Sequence, residues 1–286
     1  LINILQGNIK VNLYFYDNID PIAFQNSINK INLQESGFII ISKSGETPET
    51  LCQFASLIQI FDQNDSIANL ANNTLVITEY KKSSLFNIAQ SNKCHLLKHE
   101  ENIGGRYSVF SNVGIVPAII AGLDVKKIYS GALQEFENKT SKHFLKLGQF
   151  FRYQNFDNYL SNSILMTYSD ALYYFGKWYL QLWAESIGKN DKGITAIHSI
   201  GTTDQHSQLQ LYLDGPKDKF FTFITTDHSN KGLKLHNKTM KENNITYLMN
   251  KTMGDLMQAE QKATIETFKK NNLKFREINL KAINEF

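Results

Sequence analysis

Apolar residues fall in two recurring patterns along this chain. Short unbroken runs, Phe38–Ile41 (FIII), Thr74–Thr78 (TLVIT), Ser163–Thr167 (SILMT) and Lys219–Thr225 (KFFTFIT), read as strands, buried on both faces where the run is wholly apolar. Lys10–Tyr16 (KVNLYFY) reads as a strand ahead of them, as do Lys93–Leu97, Thr195–Ile200 and the end of Leu273–Leu280 further on. Elsewhere apolar positions recur at helical spacing: Pro21–Ile31, Leu51–Phe61, Lys82–Gln90, Ala171–Ile187, a short stretch after Ser207, and Met253–Asn271. Short strands alternating with helices predict an α/β fold with a mainly parallel sheet. From Val125 to about Tyr159 the apolar positions Leu133, Phe136, Phe144, Leu147 and Phe151 keep a helical period, which reads as a connector between two α/β units. The expected division is therefore 1–124 and 125–286.

Phe38–Thr50 (FIIISKSGETPET) is the stretch around which the rest is organised. A buried strand stops in a loop of hydroxyls bent at Gly45, and a helix begins with Pro48 in its first turn, where proline is tolerated. Free backbone N–H groups and the positive end of the helix dipole meet there, so the loop suits a phosphate monoester. The plainer alternative is a βα turn whose Ser and Thr merely cap the helix.

A net charge of +3, with no basic block, gives no sign of nucleic acid or membrane as a partner, and no apolar run reaches the ~18 residues of a membrane span. Cys52 and Cys94 lack metal or redox spacing and read as reduced thiols of a cytoplasmic protein. His95 and His99 stand four apart but flank a strand with no third ligand near, so they read as satisfied or solvated histidines rather than a metal site. No nucleotide fingerprint is present and no cofactor is expected. The aromatic stripe Leu172, Phe175, Trp178, Tyr179, Leu182, Trp183 reads as core packing, and Glu185 breaks it. The chain starts without Met and stops inside what reads as another helix, so a piece of a longer protein is expected. Arginine occurs only three times, as Arg106, Arg152 and Arg276, which draws attention to Arg106 after two glycines.

Four segments in order, ISKSGETPET (41–50), GGRYSVFS (104–111), QLWAESIGK (181–189) and GTTDQHS (201–207), resemble the phosphoglucose isomerase (glucose-6-phosphate isomerase) family of the sugar isomerase (SIS) superfamily. MGDLMQAEQKATIETF (253–268) is similar to its C-terminal helix region. The resemblance implies two SIS-type, flavodoxin-like domains, here truncated at both ends. It implies that Ser42, Lys43 (mainly through its backbone), Ser44 and Thr47 hold a sugar phosphate, with Gly105 and Gln181 also against the substrate. By the same likeness Glu185 is the catalytic base, Arg106 stabilises the enediolate, His206 serves ring opening and Glu49 pairs with that histidine. One carboxylate can move the proton both ways between adjacent carbons, a fixed cation favours the charged intermediate, and an imidazole suits proton shuttling near neutral pH. The implied reaction interconverts glucose 6-phosphate and fructose 6-phosphate, in glycolysis and gluconeogenesis, in a homodimer with shared active sites. The family's glycine-rich turn ahead of KVNLYFY and its late lysine helix are not in this sequence. The alternatives are a non-catalytic sugar-phosphate-binding SIS protein or an inactive fragment.

Overall fold

The computed structural model describes residues 11–64, 66–137 and 160–286. They form two compact units that divide between Val125 and Lys126.

In the first unit, β1 (Phe38–Ile41), β2 (Thr74–Thr78) and β3 (His95–Lys98) form a parallel sheet in that order. Helix α1 (Pro21–Ile28) starts on Asp20, whose carboxylate accepts from the Ala23 amide. Helix α2 (Pro48–Gln63) buries Phe54, Leu57 and Phe61, which meet Leu70, Val76, Leu85 and Ala89 in one core. Leu70 comes from α3 (Ile67–Asn73), and Leu85 and Ala89 from α4 (Ser84–Ser91), capped by the Ser83 hydroxyl. A 3-10 turn (Gly105–Phe110) and α5 (Asn112–Ile120) follow β3.

One expected strand is missing. Of Lys10–Tyr16, the described Val11–Tyr16 carries no strand structure. Among the described residues β1 pairs only with β2. A cavity of about 850 Å³ lies between residues 11–17 and β1. An apolar run becomes a strand only where a neighbour completes its hydrogen bonds, and among the described residues none pairs with it.

All but the first residue of α6 (Val125–Glu137), the described part of the predicted connector, opens the second unit; Phe144, Leu147 and Phe151 lie outside the described residues. Its sheet holds β4 (Asn162–Thr167), β5 (Thr195–Ile200), β6 (Lys219–Thr226) and β7 (Phe275–Leu280), all parallel, in the order β5-β4-β6-β7. Both faces are covered. Leu165 and Ile224 meet Leu172, Phe175 and Tyr179 at the start of, and along, α7 (Tyr173–Ile187). Ile164, Met166, Phe221 and Phe223 meet Tyr212 of α8 (Thr203–Asp214) and Ile265 and Phe268 of the long C-terminal helix. After the short α9 (Asn237–Glu242), that helix, α10 (Met253–Lys270), starts in a reciprocal cap between Thr252 and Asp255. Phe268 stands edge-on to Phe221 and Phe223 at 4.7 and 5.0 Å. The chain order reverses about β4, which makes the carboxyl ends of β4 and β6 the natural place for a ligand in such a sheet.

Candidate active site

In the first unit the residues of interest sit where strands end. β1 runs directly into Ser42–Thr47. Gly45 takes φ +70°, and a Cβ there would lie 2.1 Å from the Ser83 hydroxyl, so both backbone and space require glycine. The Ser42 and Thr47 hydroxyls bond each other at 2.8 Å, and Ser42 Oγ also accepts the Gly45 amide at 3.2 Å. The Glu46 amide donates to Ser44 Oγ. Thr47 is the N-cap of α2, yet its side chain caps no amide, and Pro48 follows it. The amides of Lys43, Ser44 and Thr47 find no acceptor among the described residues. Unfilled donors in front of an uncapped helix start make an anion-binding concavity. Glu49 adds an exposed carboxylate to the first turn of α2.

The loop is braced from outside. Glu46 accepts the Ser84 amide and the Ser84 hydroxyl, both at 2.7 Å, at the start of α4. Those hydrogen bonds, the hydroxyl's foremost, hold the Glu46 carboxyl below its usual range. Lys43 reaches the other way, donating to the carbonyls of Glu101 and Ile103 and facing Glu79. Glu79 is buried and also pairs with Lys81, the main reason its carboxyl is held low.

Beyond β3 the chain reaches Gly104, Gly105 and Arg106. The Arg106 guanidinium lies over the Tyr107 ring, 4.5 Å from its centre. A Cβ added at Gly105 would meet nothing within 4 Å. His95, the first residue of β3, is exposed, and His99, just past its end, is buried with its ring bonded to the Glu100 carbonyl. Cys52 is exposed and Cys94 buried, both as free thiols.

In the second unit Gln181 and Glu185 lie one turn apart on α7, where Gln181 Nε2 donates to Glu185 Oε1 at 2.9 Å. Both are exposed on this unit. Trp183, from the expected aromatic stripe, gives its indole N–H to the Ile194 carbonyl. His206 is exposed on the first turns of α8, just past the end of β5. Asp204 fixes that turn by accepting the Ile200 amide at 2.6 Å and the Ser207 hydroxyl at 2.9 Å.

Set beside known proteins, residues 2–276 match the family Phosphoglucose isomerase. The chain belongs to the phosphoglucose isomerase family. It is 35% identical over 278 residues to glucose-6-phosphate isomerase of Methanocaldococcus jannaschii, covering 96% of this chain and 67% of that one. It is 36% identical over 279 residues to the Campylobacter jejuni enzyme of the same name, covering 95% and 67%. The Rubrobacter xylanophilus relative is 32% identical over 266 residues, covering 92% and 62%. The chain thus spans about two thirds of the length of these curated relatives. Two solved structures share the fold. A hypothetical protein of Thermus thermophilus gives a TM-score of 0.88 at 24% identity, covering 99% of this chain and 69% of that one. A glucose-6-phosphate isomerase of Chlamydia trachomatis gives 0.80 at 20% identity, covering 99% and 58%.

Within the isomerase family frame, the first unit carries Ser42, Lys43, Ser44, Thr47 and Glu49 on the loop and helix after β1 and Gly105 and Arg106 on the turn beyond β3, the two segments linked by Lys43 to the Glu101 and Ile103 carbonyls; the second joins Gln181 to Glu185 and holds His206 on the helix after β5. Sequence reasoning missed the bracing by Glu46 and Glu79 and the use of the Lys43 side chain. The helix expected over Lys82–Gln90 begins at Ser84, but nothing local signals a carboxylate arriving from residue 46.

Proposed function

We propose that this chain carries the isomerase chemistry of its family, interconverting glucose 6-phosphate and fructose 6-phosphate through a cis-enediol. In this reading Ser42, Ser44, Thr47 and the Lys43 backbone hold the phosphate, with Gly105 and Gln181 against the sugar. Glu185 moves the proton between the first two carbons, and Gln181, bonded to its carboxylate, orients it. Arg106 stabilises the negative charge that builds on the substrate oxygens, which favours the transition state over the ground state. His206 moves the ring proton, oriented by Glu49 of a second copy, in a homodimer with shared sites. Two SIS domains, 1–124 and 125–286, a cytoplasmic setting and a place in glycolysis and gluconeogenesis go with this reading.

The observation that carries it is the Ser42–Thr47 loop, whose Lys43, Ser44 and Thr47 amides find no acceptor among the described residues, ahead of an uncapped helix. Phosphate titration of the chain, followed by NMR of these amides, tests the site. Ser44→Ala with Thr47→Ala should weaken fructose 6-phosphate by roughly 1–3 kcal/mol, the range for hydrogen bonds to a charged group. A coupled assay in both directions tests the reaction. Glu185→Gln should abolish solvent exchange at the second carbon while leaving sugar-phosphate affinity in place; exchange at the wild-type rate in that variant removes Glu185 from the role.

A further inference from the structure

Lys43 has been assigned to the substrate through its backbone; its side chain is committed elsewhere. Nζ donates to the carbonyl oxygens of Glu101 at 2.8 Å and Ile103 at 2.9 Å. It also stands 3.6 Å from Glu79 Oε1. Two carbonyls take two of the ammonium's three protons and a carboxylate balances its charge, so the side chain is held towards residues 79 and 101–103. Glu79, whose side chain is 9% exposed, directly follows β2, and its other oxygen pairs with Lys81. The Lys43 backbone is fixed to the same strand end, its carbonyl accepting the Glu79 amide at 3.2 Å and the Thr78 hydroxyl at 3.4 Å. One residue therefore touches the ends of all three strands of this sheet: it belongs to the loop after β1, is held by the end of β2, and holds the loop after β3. That last loop continues through Gly104 and Gly105 into Arg106.

We propose that Lys43 is a positioning residue whose side chain couples occupancy of the Ser42–Thr47 loop to the placement of Arg106. The inference rests on the isomerase reading above and deepens it. An anion bound to the loop amides immobilises the Lys43 backbone, and the tether passes that order to residues 101–103 and on to Arg106. Binding of the unreactive phosphate then orients a group needed at the reacting carbons, where small misplacements are expensive. Coupling of this kind is reciprocal, so a tether that orders Arg106 also tightens the loop around its anion.

The test compares wild type, Lys43→Met and Lys43→Arg by amide hydrogen exchange with and without inorganic phosphate. Methionine keeps the backbone and most of the stem and deletes the donors, while Glu79 retains Lys81. In wild type, phosphate should slow exchange in both 42–50 and 100–107. In Lys43→Met it should slow 42–50 alone, which also reports that the variant is folded. Lys43→Arg, which keeps a cation with several donors, should restore protection of 100–107. On fructose 6-phosphate, Lys43→Met should lose about 10²-fold in kcat, the scale of a misplaced catalytic group, with a much smaller rise in KM as the loop loosens around its anion. Phosphate protection of 100–107 that survives in Lys43→Met overturns the coupling, as does a raised KM with kcat intact. Wild-type chain in which phosphate leaves 42–50 unprotected is a different failure: it removes the anion site itself and the proposed function with it.

Discussion

Gly105 carries no side chain although its surroundings would accept one. Its φ is not in the left-handed region, and a Cβ there would touch nothing. Gly45 is the opposite case, required by a φ of +70° and by the nearby Ser83 hydroxyl. A glycine that the fold itself does not need leaves space for something else, and the proposed sugar is the reason we assign. Gly105→Ala should therefore raise thermal stability by roughly 0.4–1 kcal/mol through the unfolded chain and yet lower turnover. Melting curves beside a coupled assay decide it; a stabilised variant with full activity would leave that space without a function. Residue by residue, legibility follows distance along the chain. Gln181 and Glu185 meet because four residues is one helical turn, so their contact follows from spacing alone. The contacts of Lys43 span 58 and 60 residues and exist only once three strands are side by side.

Among elements, the long C-terminal helix α10 shows how burial and end effects compare. Its buried face sets Ile265 and Phe268 into the aromatic core, and its first turn is closed by Thr252 and Asp255. Phe268→Ala should destabilise the protein by about 3–5 kcal/mol, because it opens a cavity among packed rings. Thr252→Ala should cost about 0.5–2 kcal/mol, the worth of one cap. Urea midpoints rank the two, and the reverse order would mean the helix is held by its end rather than its face. This helix was legible because its apolar positions keep a helical period along it. The short α3 was not: IANLANN is rich in asparagine, a weak helix former, and buries only Leu70. Val11–Tyr16 failed for another reason. Its composition suits a strand, but pairing is a property of two segments, and the pattern of one cannot report whether its neighbour is there.

At the level of the whole molecule, one titrating group ties stability to pH in the neutral range. His198 on β5 packs under α7, its ring so close to Gly176 that a Cβ there would fall 2.2 Å from it, and Nε2 bonds the Thr167 hydroxyl at 3.0 Å. Burial first, and Lys177 second, hold its imidazole below the ordinary histidine range, against a weaker pull from Asp204. The unfolded chain then takes up a proton more readily than the folded one near the ordinary value of about 6.5. Stability from this group is full above that value and is lost as pH falls through the lowered folded value. His198→Gln removes the titration, so the drop in urea midpoint between about pH 7.5 and about pH 5.5 should shrink relative to wild type; an equal drop would assign the dependence to other groups. The position of the proposed site at strand ends has a consequence for descent as well. A packed interior asks for volume and apolar character and accepts many combinations of both, whereas a loop that aims amides, a carboxylate and a guanidinium asks for particular groups. If the chemistry sits at the rims as proposed, the interiors can drift while the architecture persists; a chain 20% identical to this one still superposes with a TM-score of 0.80.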